Sequence, residues 1–99
     1  VYGVSYDIDI SQPVGSRIVN LSYEGKAVDP AAKFVLAVNN YRANGGGNFP
    51  GVASAPLAWA DSDEIRNTMI SWVKAKGVID PTEFGGGTWR LVRAGVPLF

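Results

Sequence analysis

Apolar and polar residues alternate cleanly at the start of the chain. Tyr2, Val4, Tyr6, Ile8 and Ile10 fall on one side, and Gly3, Ser5, Asp7 and Asp9 on the other. A period of two is that of a half-buried strand, because successive side chains point to opposite faces. Pro13 and Gly15 break the pattern, and it resumes from Arg17 to Tyr23, which predicts an antiparallel hairpin with a loop longer than two residues. Glu24-Gly25-Lys26 marks a second turn. At Asp29-Pro30 an aspartate precedes a proline, a pairing that suits a cap followed by the first turn of a short helix. The run Phe34–Val38 is apolar without alternation, as an inner strand covered on both faces would be.

From Gly45 to Pro56 no period survives, and the stretch is read as a loop of about a dozen residues, long for a small domain. A helix is predicted over Asp61–Lys76. Asp61 and Glu64 stand in capping-box relation, and Ile65, Met69, Trp72 and Val73 form the apolar stripe. Lys74 and Lys76 suit the C-terminal end of the helix dipole, and Gly77 is the expected stop. Trp89, Leu91 and Arg93 alternate with Arg90 and Val92 in a last short strand. The order strand, strand, strand, helix, strand predicts an α+β fold, with a mixed or antiparallel sheet and the one main helix packed on it.

Composition narrows the chemistry. The chain has 99 residues, 46% of them hydrophobic and 18% charged, which is one small globular domain and no disordered segment. Nine basic residues balance nine acidic ones, so no bulk charge draws the chain to polymeric nucleic acid. No apolar run reaches the roughly 18 residues of a membrane span. There is neither cysteine nor histidine, which sets aside disulfides, thiol chemistry, a zinc site and histidine acid–base catalysis. The pattern opens in mid-strand at Val1, as in a piece of a longer protein. The paired Asp7 and Asp9 are read as the polar face of the hairpin. Asp61, Asp63 and Glu64 are read as helix-start charges.

The stretch Asn39–Gly51, NNYRANGGGNFPG, has no such simple explanation. A phosphate-binding loop needs lysine and a hydroxyl residue directly after its glycines, and here Asn48 and Phe49 follow Gly47. What remains is that Gly45, Gly46 and Gly47 permit positive φ and a close approach of backbone to something, either a ligand or another part of the protein. Tyr41 is open to two readings as well. It is a core aromatic or a flat platform on which a base stacks. Arg42 is a solvated charge or a phosphate contact.

The same thirteen residues resemble the signature of the C-terminal domain of the 5'-nucleotidase family. They are most similar to the branch containing 2',3'-cyclic-nucleotide 2'-phosphodiesterase/3'-nucleotidases. The flanks VYGVSYDIDISQPVGSRIVNLSYEGKAVDP and KAKGVIDP and the final WRL agree. The resemblance implies that residues 1–99 form a single domain, the second half of a nucleotide-binding C-terminal domain. It implies a substrate-specificity role in a secreted hydrolase whose N-terminal metallophosphoesterase domain, with its two divalent metal ions, is absent from this chain. The fragment itself then carries no catalytic residue and no cofactor. Tyr41 matches one of the two aromatic positions that sandwich the base. Asn39, Asn40, Arg42, Gly45, Gly46 and Gly47 complete the implied substrate-binding set. Where 5'-nucleotidases proper place a ribose-contacting aspartate after the glycine pair, this chain has Gly47, as the cyclic-phosphodiesterase branch does. Implied partners are a nucleotide or nucleoside phosphate and the chain's own missing N-terminal domain. The implied location is extracellular, periplasmic or cell-wall attached. The alternative is a small non-enzymatic binding or interaction module.

Overall fold

Two tight hairpins frame the sheet. In a computed structural model that describes all 99 residues, Val1–Phe99, β2 (Ile18–Tyr23) turns into β3 (Lys26–Ala27), and β4 (Trp89–Arg93) turns into β5 (Val96–Pro97). Both turns have two central residues, both at positive φ: Glu24 at 49° and Gly25 at 75°, Ala94 at 50° and Gly95 at 80°. A two-residue connection of this handedness matches the twist of the strands it joins. Between the hairpins lies β1 (Ser5–Asp9), antiparallel to β2 and parallel to β4, giving the order β3-β2-β1-β4-β5. The fold is α+β with a mixed sheet, as the pattern predicts.

The chain divides into two compact units. One comprises Val1–Ala32 with Pro81–Phe99 and contains the whole sheet. The other is Lys33–Asp80. In the sheet unit the expected faces are reversed in burial. Asp7 and Asp9 are each only 5% exposed, while Tyr6 and Ile8 are half-buried. The physical reason is cross-strand pairing. Asp7 lies beside Arg90 in the β1–β4 register and Asp9 beside Val92, and Val92 is fully buried. The Arg90 guanidinium donates from Nε to Asp7 Oδ1 at 2.5 Å and from Nη2 to Oδ2 at 3.2 Å. The β1–β2 register slips by one residue between the Ser5–Ser22 and Asp7–Val19 pairs. Within the slip Asn20 adopts φ 55°, a conformation asparagine tolerates, and its amide donates to Asp7 Oδ2 at 2.7 Å. Asp9 accepts from Ser11 Oγ at 2.6 Å and from the backbone N–H groups of Ser11 and Ala94. These bonds hold both carboxyls below their ordinary acidity range. The Arg90 bond is the main cause at Asp7, with Asn20 second, and the Ser11 hydroxyl is the main cause at Asp9.

Three expected elements differ. Asp29 caps no helix: its carboxylate takes the Ala31 N–H at 2.8 Å and its carbonyl the Ala32 N–H at 2.9 Å, closing an isolated turn. Phe34–Val38 is not an inner strand. It has no regular structure, and Phe34, Val35, Leu36 and Val38 are exposed. A strand needs a partner for its N–H and C=O groups, and the unit carrying this run contains no β-ladder. The main helix, α2, runs Ile65–Lys76 and not from Asp61. The capping box does not form, because Asp61 Oδ1 accepts instead from the Asp63 N–H at 3.1 Å, a local turn that competes with helix initiation. Gly77 ends α2 as expected, at φ 78° with its N–H on the Val73 carbonyl. Ile65, Met69, Trp72 and Val73, expected in the core, are all exposed. No helix of the chain is long and apolar enough to cross a membrane.

Candidate functional site

The residues from Asn39 to Phe49 fold into a knot around two side chains. Asn39 is the cap of a four-residue helix, α1 (Asn40–Ala43), its Oδ1 accepting the Arg42 N–H at 2.9 Å. Tyr41 therefore stands on a helical turn. The turn ends in a double backbone bond. Gly45 N–H donates to the Arg42 carbonyl at 3.1 Å and Gly46 N–H to the Tyr41 carbonyl at 2.8 Å, with Gly45 at φ 95°. This is the left-handed glycine stop by which helices commonly finish.

Each glycine of the triplet has its own reason. Gly45 supplies the left-handed stop. Gly46 lies against the Tyr41 ring so closely that a Cβ there would sit 2.5 Å from ring carbon Cε1. Gly47 has φ 79°, and a Cβ on it would fall inside the Arg42 guanidinium. The Asn48 N–H then closes a turn onto the Gly45 carbonyl at 3.0 Å. The close approach that the glycines permit is therefore, in the first place, to the protein's own tyrosine and arginine. The Tyr41 ring is backed by this loop, and the residue as a whole remains 61% exposed.

Arg42 is half-buried. Its Nη1 donates to the Gly46 carbonyl at 3.0 Å, and its Cζ lies 5.4 Å from the Tyr41 ring centroid and 4.6 Å from that of Phe49. Phe49 belongs to the cluster and was missed by sequence reasoning, although a second aromatic just past a glycine run was a usable signal. Asn40 is exposed at the start of α1, its carbonyl accepting the Asn44 N–H. The structure thus brings Asn39, Tyr41, Arg42, Gly45, Gly46 and Gly47 together, with Asn40 at the margin. An exposed flat ring with a rigid backing can accept a planar group on its open face.

Other polar clusters do not compete with this one. A shallow cleft lies over the Asp7–Arg90 pair, but its charged groups satisfy one another. No group of three histidine, cysteine, aspartate or glutamate side chains is gathered to hold a metal ion.

The family described as 5'-nucleotidase, C-terminal domain, matches residues 1–54. The 2',3'-cyclic-nucleotide 2'-phosphodiesterase/3'-nucleotidase of Salmonella typhimurium is 40% identical over 105 aligned residues, covering 90% of this chain and 16% of its own length. The protein of the same name from Haemophilus influenzae is 36% identical, covering 91% of this chain and 16% of its own length. Trifunctional nucleotide phosphoesterase protein YfkN of Bacillus subtilis is 34% identical, covering 80% of this chain and 6% of its own length. The chain thus spans a small part of the curated relatives it matches. No solved structure matches.

Proposed function

The chain belongs to the 5'-nucleotidase C-terminal domain family, and on that premise we propose that it is the nucleotide-binding, substrate-specificity part of a metal-dependent nucleotidase or 2',3'-cyclic-nucleotide 2'-phosphodiesterase, with the base stacked on Tyr41. The observation that carries the proposal is the backed but open ring. Tyr41 lies against Gly46 and still exposes 61% of its surface. Large aromatics are exposed elsewhere in the chain as well; what sets Tyr41 apart is that backbone at Gly46 backs one side of its ring, as a stacking platform requires. Stacking contributes about 1–3 kcal/mol per base and accepts any base.

In this reading the parent enzyme works outside the cytoplasm. Two divalent metal ions, held by residues outside this chain, supply the chemistry of phosphoester hydrolysis. The residues here bind and orient. Tyr41 holds the base. Asn39 and Gly45 fix the turn that carries it. Gly46 and Gly47 keep the backbone low beside the ring, so that sugar and phosphate pass without obstruction.

The test compares two substrates of the full-length enzyme, a nucleotide and a sugar phosphate that lacks a base. Tyr41→Ala should raise KM for the nucleotide by about 5- to 150-fold and leave the base-less ester unaffected. Equal losses on both substrates would contradict stacking.

A further inference from the structure

We propose that Arg42 and Phe49 are positioning residues for Tyr41, with Arg42 acting as an inward brace of the glycine loop and not as a phosphate contact. The inference rests on the Tyr41 stacking reading and adds the means by which that ring is held.

Adjacent residues on a helix point in directions about 100° apart, so Arg42 would ordinarily extend away from Tyr41 into solvent. It does the opposite. Its guanidinium is drawn over the loop, 4.6 Å from the Phe49 ring centroid, within reach of the Tyr41 ring, and bonded to the Gly46 carbonyl at 3.0 Å. Gly46 is thereby held at both ends. Its N–H is on the Tyr41 carbonyl at 2.8 Å and its C=O takes the Arg42 proton. Gly46 is also the residue that backs the Tyr41 ring. Fixing Gly46 fixes the surface against which the ring rests, and so restricts the ring to one orientation. Gly47 completes the device, because any side chain there would displace the guanidinium.

The chemistry selects arginine. A guanidinium is planar, carries a permanent charge, and lies flat on an aromatic face while an N–H in its own plane reaches a carbonyl. A lysine ammonium is a compact, strongly hydrated point charge without that planar fork, and holds the two contacts together less well. An arginine that served a phosphate would need its donors turned outward. Here the group lies across Phe49 with a donor spent on backbone, inside the loop it stabilises.

The experiment uses the full-length enzyme and two ligands that share a base. A nucleoside, with no phosphate, is measured as a competitive inhibitor, and the corresponding nucleoside 3'-monophosphate as substrate. Arg42→Ala, Arg42→Lys and Phe49→Leu should each weaken both constants by the same factor, about 2- to 5-fold. Adding Arg42→Ala to Tyr41→Ala should cause no further loss. A loss confined to the phosphorylated ligand, or full rescue by Arg42→Lys, would show a phosphate contact and overturn the proposal. If Tyr41→Ala weakens both ligands while the Arg42 and Phe49 variants bind normally, the brace fails and stacking stands. If Tyr41→Ala changes neither ligand, the stacking reading fails and the brace with it.

Discussion

The two units of the molecule are ordered by different means. The sheet unit, residues 1–32 and 81–99, is tied together by main-chain ladders, two mirror-image turns, and a polar brace in which Arg90 and Asn20 hold Asp7 while Ser11 and Ala94 hold Asp9. The unit of residues 33–80 has no ladder. Its order is concentrated in α2 and in the knot around Tyr41 and Arg42, and large apolar side chains are exposed in both units. The first unit spends Asp7, Asp9 and Arg90 on its own architecture. The second keeps an aromatic face open and uses glycines to do so. Loops are commonly set by the elements that flank them, and here the loop carries its own scaffold, built from backbone packed against two side chains.

The sharpest way to break this comparison is to remove the buried side chain of the sheet. Val92→Ala should lower stability by about 1.5–3 kcal/mol, from lost burial and the space left behind. A near-silent change, read by denaturant unfolding of this chain, would mean that the sheet does not hold the unit. Next in size is Gly47→Ala. A left-handed conformation costs a non-glycine residue about 1–2 kcal/mol, and the methyl also meets Arg42. Unfolding should register the loss, and hydrogen exchange should show the Gly46 amide opening.

Acid should act on the sheet unit through Asp7 and Asp9. Both carboxyls are held below the ordinary value of 3.8 in the folded chain. Their contribution to stability is therefore present above that value and lost as pH falls through the lower folded values. Asp7→Asn should lower the melting temperature at neutral pH and flatten its fall below about pH 4. An unchanged acid slope would show that the pairing with Arg90 does not stabilise the fold. The smallest effect is expected at Met69→Ala. This side chain is 62% exposed, so in this chain the change should stay within about 0.5 kcal/mol. A loss of core size would place the helix face in a core after all.

Alternation made β1, β2 and β4 legible, because in each the period of two survives the turns that bound it. Gly77 and the glycine triplet were legible as punctuation. Burial was not. Asp7 and Asp9 look like a solvated face until Arg90, 83 residues away in sequence from Asp7, is laid beside them by a parallel pairing that no local pattern announces. The second hairpin has no clear local signal, because Ala94, at φ 50°, occupies a position where glycine or asparagine is the usual one. Phe34–Val38 has a strand's composition but no ladder in its own unit, which only the fold could show. Asp61 matches a capping box by spacing, yet bonds to Asp63 first. In the loop, the motif located Tyr41 and the glycines, whereas the placement of Arg42 beside Phe49 depends on a side chain folding back over its own loop.

The central claim is that the Tyr41 ring faces a ligand and not a core. It is tested most directly by measuring thermal stability and nucleotide KM together for Tyr41→Ala and Tyr41→Phe in the full-length enzyme. Stacking uses the ring face, so Tyr41→Phe should leave both quantities nearly unchanged. Tyr41→Ala should raise KM by about one order of magnitude or more with little change in melting temperature. A Tyr41→Ala protein that melts far below the parent yet binds nucleotide normally while folded would contradict the account.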